Sequence, residues 1–505
     1  MLIPRPTSHE PRPGRFTLTA DTGVHAPDAP EVADLLRGLL GPATGLALPD
    51  APAGPGMIAL LLSSDGGSSD SGSSGGGPGP EGYTLTVSPD GVLATADTVA
   101  GLRWAVQTLR QLLPPSVYSP TPVEADWSMP CGRIVDSPRH AWRGGMLDVG
   151  RWHHPVSFLY KFADLLAAHK LNRFHLHLTE DQGWRFDVRR YPRLTSVGAF
   201  RSSSPIGHTL DDLSDDTPHG GYYTQDELRG LVEYAARLGV TVVPEIDLPG
   251  HTQAAVAAYP ELGNRPDVQH AVMTRFGVSE HVLNVEKSTV DFMRGVLDEL
   301  VDVFPSEYIH LGGDEVPPRE WSENPGARAL MADLGLSSPE GLLGWWIRQL
   351  ADHLATRGRK VIVWDELVGA GAPADAVVMA WRGPERVDEA LAAGHPVIAT
   401  PQSHLYLDHA ESLAPGEPLS ITGPLPLEKV YGYQPGDGVL GVQGNLWTEY
   451  LPNAARAEYN LLPRLAAVAE VAWGTAGDLT GFRSRLATQV LRYEAEGVAY
   501  RPLDD

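Results

Sequence analysis

The chain has 505 residues, 42% of them apolar, with 63 Asp and Glu against 39 Lys and Arg and a net charge of −24. That is length for two domains and apolar content for a sizeable core, while the acidic excess argues against nucleic acid or an anionic membrane as partner. Cys131 is the only cysteine, which excludes an intrachain disulfide and a cysteine-built zinc site.

The N-terminus, MLIPRPTSHEP, has no apolar run of signal-peptide length, and nothing in the chain reaches the ~18 apolar residues of a membrane-spanning helix. With the N-terminus as written, the expected location is the cytoplasm, or outside the cell if a leader precedes it. Residues 63–80, SSDGGSSDSGSSGGGPGP, read as a flexible Gly/Ser loop. YTLTV (83–87), a Pro-Asp-Gly turn and VLATA (92–96) alternate with period two and predict a β-hairpin. In GLRWAVQTLRQLL (101–113), Leu102, Val106, Leu109 and Leu113 share one helical face. Residues 1–135 are thus expected to form a smaller α+β domain.

From about residue 140 strand, polar loop and helix repeat. The candidate strands are 144–150, 173–179, 241–247, 308–314, 360–366, 376–382, 396–400 and 438–447. The early ones are near-continuous apolar runs, as buried parallel strands are. Between them, Phe158, Leu159, Phe162, Leu165, Leu166 and His169 share a helical face, and Thr-Gln-Asp-Glu at 224–227 is a capping box. A third helix carries Phe292, Met293, Val296, Leu297 and Leu300. Eight strands alternating with helices predict an α/β fold, a (β/α)₈ TIM barrel over 136–505 that carries its active site at the C-terminal strand ends.

The unusual residues gather at those ends. Asp148 and Arg151, Glu180 and Asp181, Glu245 and Asp247, Asp314 and Glu315, Trp364 to Glu366, Trp381, and Trp447 with Glu449 all follow strands. Structural carboxylates have no reason to favour one rim. The most pointed case is Tyr308-Ile-His-Leu-Gly-Gly-Asp-Glu-Val316, an apolar strand that opens through two glycines onto adjacent acids. Paired carboxylates are the usual equipment for cleaving a glycosidic bond.

Seven segments, in order, resemble the β-N-acetylhexosaminidases of glycoside hydrolase family 20: LDVGR (147–151), HLHLTEDQGWR (175–185), PEIDLPGH (244–251), HLGGDEV (310–316), VWDE (363–366), YLD (406–408) and GNLWTE (444–449). The resemblance implies a retaining mechanism in which the substrate's own 2-acetamido oxygen attacks the anomeric carbon and forms an oxazolinium ion, an exception to the two-carboxylate scheme. It implies Glu315 as general acid and then base. Asp314 would hold the acetamido N–H, and Tyr406 the acetamido oxygen. Trp364, Trp381 and Trp447 would wall the acetamido methyl, and Arg151, Asp408 and Glu449 would bind sugar hydroxyls. His251 and an acid would tune Glu315. The family usually shows Asp-Asp before Gln-Gly-Trp where this chain has Glu180, one methylene longer. As an acid, Glu315 is expected to have its pKa raised by burial and neighbouring carboxylates. The implied substrate is an oligosaccharide or glycoconjugate with a terminal β-linked N-acetylglucosamine or N-acetylgalactosamine, cleaved without metal or organic cofactor.

Two other readings compete. His175 and His177 form a His-x-His on one strand face and, with His251 and Asp314, resemble the ligand set of a metal-dependent barrel hydrolase. A binding-only barrel would keep the tryptophans without turnover. The DxxDxDxE signature of a chitinase-type endo-enzyme is absent.

Overall fold

The structure, a computed structural model, describes residues 1–63, 79–211, 213–421 and 423–503. Residues 64–78, most of the Gly/Ser segment, lie outside the described residues.

The first 136 residues build one six-stranded sheet. Its strands are β1 (Ser8–Thr17), β2 (Val24–His25), β3 (Met57–Leu62), β4 (Tyr83–Ser88), β5 (Gly91–Ala96) and β6 (Ser128–Asp136), in the order β1-β6-β4-β5-β3-β2. The hairpin forms as β4 and β5, antiparallel with Val87 opposite Val92. Its alternation is real burial: Tyr83, Leu85 and Val87 are buried and the intervening threonines are not. Helices α1 (Pro30–Thr44) and α2 (Val99–Leu112) complete the unit, and Thr98 caps α2 through the Gly101 N–H. Asp136, at the end of β6, ties this sheet to the rest. It pairs with Lys170 at 2.9 Å and accepts from the Trp473 indole at 2.8 Å, all three buried.

All eight expected strands of the second half form, as β7 (Trp142–Asp148), β8 (Arg173–His177), β9 (Thr241–Glu245), β10 (Tyr308–His310), β11 (Lys360–Trp364), β12 (Val377–Ala380), β13 (Val397–Ala399) and β14 (Gly441–Leu446). They pair in parallel and close, β14 against β7, into a barrel. The three expected helices are α3 (Val156–Ala168), α4 (Gln225–Leu238) and α5 (Lys287–Val303). The capping box at the start of α4 is reciprocal, with the Glu227 N–H on the Thr224 hydroxyl at 3.2 Å and the Thr224 N–H on the Glu227 carboxylate at 2.8 Å. Helix α6 (Glu340–Ala355) follows β10 and α7 (Pro384–Ala392) follows β12, while α8 (Arg464–Trp473) packs on β14 and β7. The alternation lapses twice. After β11 the chain makes only the short helix Glu366–Ala370, and after β13 only the turns of helix Gln402–Leu405 and Leu427–Tyr431.

Register prepares the site. Asp148 lies opposite His177, His177 opposite Glu245, and Glu245 opposite His310. Four polar residues from four strands thus share one layer just beneath the rim. No helix among the described residues is long and apolar enough to cross a membrane.

Candidate active site

The loop after β10 depends on its two glycines. Gly312 and Gly313 have φ of +67° and +98°, where side chains are strained. A Cβ on Gly312 would lie 1.7 Å from the Asp247 carboxylate, and one on Gly313 2.4 Å from Leu367. The backbone can therefore fold tightly over the barrel and deliver Asp314 and Glu315. Glu315 and His251 themselves hold φ of +48° and +53°, a left-handed conformation that costs a non-glycine residue about 1–2 kcal/mol. The two strained residues face each other, with His251 Nε2 3.5 Å from the Glu315 carboxylate.

A pocket of about 170 Å³ opens beside them, lined by Arg151, Asp314, Glu315, Trp381, Tyr406, Asp408, Trp447 and Glu449. Trp381 stacks parallel to Tyr406 with ring centroids 6.0 Å apart, and Tyr406 lies 6.0 Å from Trp447. Trp364 sits one layer deeper, fully buried against Trp447 at 6.1 Å, with its indole N–H on Glu245 at 3.0 Å. The Tyr406–Asp408 loop is clamped by the α8 residue Arg464, which donates to the carbonyls of Leu407 and His409. Asp148 pins the opposite wall, accepting from the Arg151 guanidinium at 3.2 Å and from the Thr448 N–H and hydroxyl at 3.1 Å. Several buried polar atoms here have no protein partner among the described residues: Arg151 Nε, Asp314 Oδ1, Asp408 Oδ1 and Trp447 Nε1. Buried polar groups are ordinarily satisfied, so this set is poised for a ligand rich in hydroxyl and amide groups.

Charge is organised around Glu180. Its carboxylate takes Arg151 Nη2 at 2.8 Å, His251 Nδ1 at 3.0 Å and His177 Nε2 at 3.1 Å. The extra methylene of Glu therefore does not break the link to His251. Burial opposes the charged form of Glu180, but Arg151 and His251 outweigh it and hold this carboxyl well below the usual range. For His251, burial is likewise overcome by Glu180 and Asp314, and its pKa stands well above that of an ordinary histidine. Asp314 is pushed up to about 6, first by burial; His251 opposes the rise, while Glu315 and Glu245 add to it. Its neighbour Asp247 is raised well above the usual range by burial and then by Asp314.

Glu315 differs from expectation. Its carboxyl is lowered, first by the hydrogen bond from His251, with burial pulling the other way. The physical reason is exposure. The side chain is 42% accessible, so desolvation is too weak to offset the imidazolium beside it.

Beneath the rim lies a cluster centred on Glu245, to which sequence reasoning gave no role. Glu245, fully buried, bonds His175 at 2.9 Å, His177 and the Trp364 indole, and lies 3.0 Å from His310 Nδ1, which accepts from the Gly312 N–H. The His-x-His pair thus spends three of its four ring nitrogens on this carboxylate and on Glu180, and His175 Nδ1 accepts from the Gln443 amide at 3.0 Å. Asp247 is the other residue left without a role; it accepts from the Gly313 N–H at 3.2 Å and so holds the loop that bears Asp314. Both acids belong to PEIDLPGH, and two acids spaced by one residue at a strand end were the available signal.

Comparison with known proteins agrees with this geometry. The description "glycosyl hydrolase family 20, catalytic domain" matches residues 140–476, and that family's domain 2 matches residues 1–137. The chain belongs to glycosyl hydrolase family 20. A β-hexosaminidase of Porphyromonas gingivalis is 39% identical over 433 residues, which cover 83% of this chain and 54% of that protein. The chain thus spans about half the length of that relative; it spans 64% of a Vibrio furnissii β-hexosaminidase. A β-N-acetylhexosaminidase of Cellulomonas fimi is 34% identical over 501 residues, 94% of this chain and 90% of that one. Among family 20 structures, the β-N-acetylhexosaminidase of Streptomyces coelicolor superposes with a TM-score of 0.85 at 32% identity, covering 100% of this chain and 97% of that one. A mutant β-hexosaminidase of Streptomyces plicatus, in complex with product (GlcNAc), gives 0.85 at 34% identity, with 99% and 96% covered.

Proposed function

We propose that this protein is an exo-acting, retaining β-N-acetylhexosaminidase that removes terminal β-linked N-acetylglucosamine or N-acetylgalactosamine through the substrate's own acetamido group. The observation that carries the reading is the pocket itself. Its 170 Å³ suits one sugar ring, and Asp314, Glu315 and Tyr406 meet in its lining. The bound structure of the Streptomyces plicatus relative, with GlcNAc as product, supports the same sugar.

In this reading the acetamido carbonyl oxygen attacks carbon 1 while the bond from carbon 1 to the leaving oxygen breaks. The Glu315 proton passes to that oxygen. Asp314 accepts the acetamido N–H and offsets the positive charge that develops on the ring nitrogen. The Tyr406 hydroxyl donates to the acetamido oxygen, and the aromatic walls hold the methyl so that a weak nucleophile stays in a near-attack pose. Water then adds to carbon 1, Glu315 takes its proton, and the acetamide reforms with net retention. Glu315 needs a proton for the first step, and the free protein holds its carboxyl low. A sugar that covers the carboxyl removes water from it and shifts it up. The basic limb of kcat is therefore expected at higher pH than that of kcat/KM, since the first reports the occupied and the second the free protein.

The test is hydrolysis of 4-nitrophenyl N-acetyl-β-glucosaminide beside the matching β-glucoside, with and without EDTA. Cleavage of the acetamido sugar alone, unaffected by EDTA, supports the reading. Equal cleavage of both removes the acetamide as nucleophile, loss with EDTA revives the metal hydrolase, and cleavage of neither favours a binding-only barrel.

A further inference from the structure

Two adjacent residues past the end of β11 hold two adjacent residues past the end of β12. Asp365 accepts from the Arg382 Nε–H at 2.8 Å and from its backbone N–H at 3.4 Å. Glu366 accepts from the Trp381 indole N–H at 3.1 Å. The Trp381 carbonyl accepts in turn from the Gln402 N–H at 2.7 Å. The backbone around Trp381 is therefore anchored, and what remains free is the swing of its ring.

That swing has room. Trp364 and Trp447 are buried, whereas Trp381 is only half-buried. It stands between the sugar pocket and an adjoining cavity of about 570 Å³ and lines both. Its parallel contact with Tyr406, 6.0 Å between centroids, falls in the outer part of the range for aromatic pairs, about 4.5–7 Å, and holds the ring weakly. The bond to Glu366 is what keeps the indole as a wall of the sugar pocket instead of letting it turn into the open cavity.

The chemistry of Glu366 suits this task. Burial first, then Asp314 and Asp365, push its carboxyl up to about 9, with Arg382 opposing. It therefore carries its proton at neutral pH. One oxygen can accept from the indole while the acid proton serves Asp365, and no further negative charge is set beside Asp314.

Resting on the function proposed above, we propose that Glu366 is a positioning residue: through the Trp381 indole it fixes the wall around the substrate's N-acyl group, and so sets how large that group can be.

The test uses 4-nitrophenyl β-glucosaminides bearing N-acetyl, N-propionyl or N-butyryl groups. In kcat/KM the unmodified protein should prefer acetyl over propionyl by about tenfold or more, the worth of one methylene in a fitted pocket. Glu366→Leu, which cannot accept from the indole, should cut that preference to about twofold and lower kcat on the acetyl glycoside by about tenfold, as a loosened near-attack pose does. Glu366→Gln keeps an acceptor for the indole and a donor for Asp365, and should stay within about twofold of the unmodified protein in both respects. In a Trp381→Phe background, which has no indole N–H, adding Glu366→Leu should change the preference no further. Equal losses on all three acyl groups in Glu366→Leu, with the preference intact, would make Glu366 a structural residue and overturn the inference. So would a Glu366→Gln protein as impaired as Glu366→Leu, or an unmodified protein with no acyl preference. If Glu366→Leu fails to fold, Trp381→Phe alone decides, since an intact acyl preference without the indole N–H would overturn the inference. Failure of the unmodified protein to cleave the acetyl glycoside would overturn the functional reading, and this inference with it.

Discussion

Asp314→Asn should make the protein more stable and less active, and the structure sets the size of the first effect. The Asp314 carboxyl is pushed up to about 6 by burial first, with nearby carboxylates adding to the rise, against about 3.9 for an unperturbed aspartate. A carboxyl with a higher pKa folded than unfolded binds its proton more tightly in the fold. Folding is then penalised as pH rises past the unfolded value, and the penalty is complete above the folded one. Two units at about 1.4 kcal/mol each give about 3 kcal/mol at pH 7. Asparagine has the same shape and no charge, and it also relieves Asp247, which Asp314 helps to hold protonated. The variant is therefore expected to gain about 1–3 kcal/mol at pH 7, with the gain fading as pH falls from 6 towards 4. Urea denaturation of both proteins across that range measures it, alongside turnover of the aryl glycoside. A loss of stability at pH 7, or a gain that does not change with pH, would refute the electrostatic argument. Unchanged turnover would remove Asp314 from the mechanism.

Three further outcomes follow from the same contacts. Glu315→Gln should cut turnover by orders of magnitude on alkyl and sugar leaving groups and by much less on nitrophenolate, which needs no proton; equal losses on both would contradict its role as acid. Glu180→Gln leaves Arg151, His177 and His251 facing an uncharged amide, a loss expected to cost about 3–5 kcal/mol in stability. With His251 less readily protonated, Glu315 loses its stabilising neighbour and the basic limb of kcat/KM should move up; a limb that stays in place or moves down argues against the Glu180–His251–Glu315 chain. Glu245→Gln should leave the barrel folded but weaken the hold on Trp364 and His177, raising KM for the acetamido sugar more than it lowers kcat. A change confined to thermal stability would make Glu245 a packing residue only.

The barrel was legible because its strands are buried on both faces, which writes them as apolar runs, and because strand ends concentrate acids and tryptophans in the sequence. The full-length helices missing after β11 and β13 were not legible: the first connection is too short to carry a periodic signal, and the second is long but folds into short helical turns and loop that leave none. The rim residues Arg151, Glu180, His251, Asp314, Glu315, Tyr406, Asp408, Trp381, Trp447 and Glu449 meet around one pocket or its hydrogen-bond network. Trp364 stands behind that wall, tethered to Glu245. The Glu245 cluster joins residues 175, 177, 310 and 364, and only barrel register brings these together. The proton on Glu315 was misjudged for a related reason. Residue types indicate which charges surround a group but not how far it opens to water, and here a 42% exposed carboxylate beside an imidazolium is lowered rather than raised.

The central claim, that the substrate's acetamide is the nucleophile, is tested most directly by replacing the N-acetyl group of the aryl glycoside with mono-, di- and trifluoroacetyl. Each fluorine withdraws electrons from the carbonyl oxygen while barely changing the size of the group that the tryptophans enclose. If that oxygen attacks carbon 1, log kcat falls steeply and steadily along the series. A flat series would mean that the enzyme or water supplies the nucleophile, and the roles given to Asp314 and Tyr406 would fall with it.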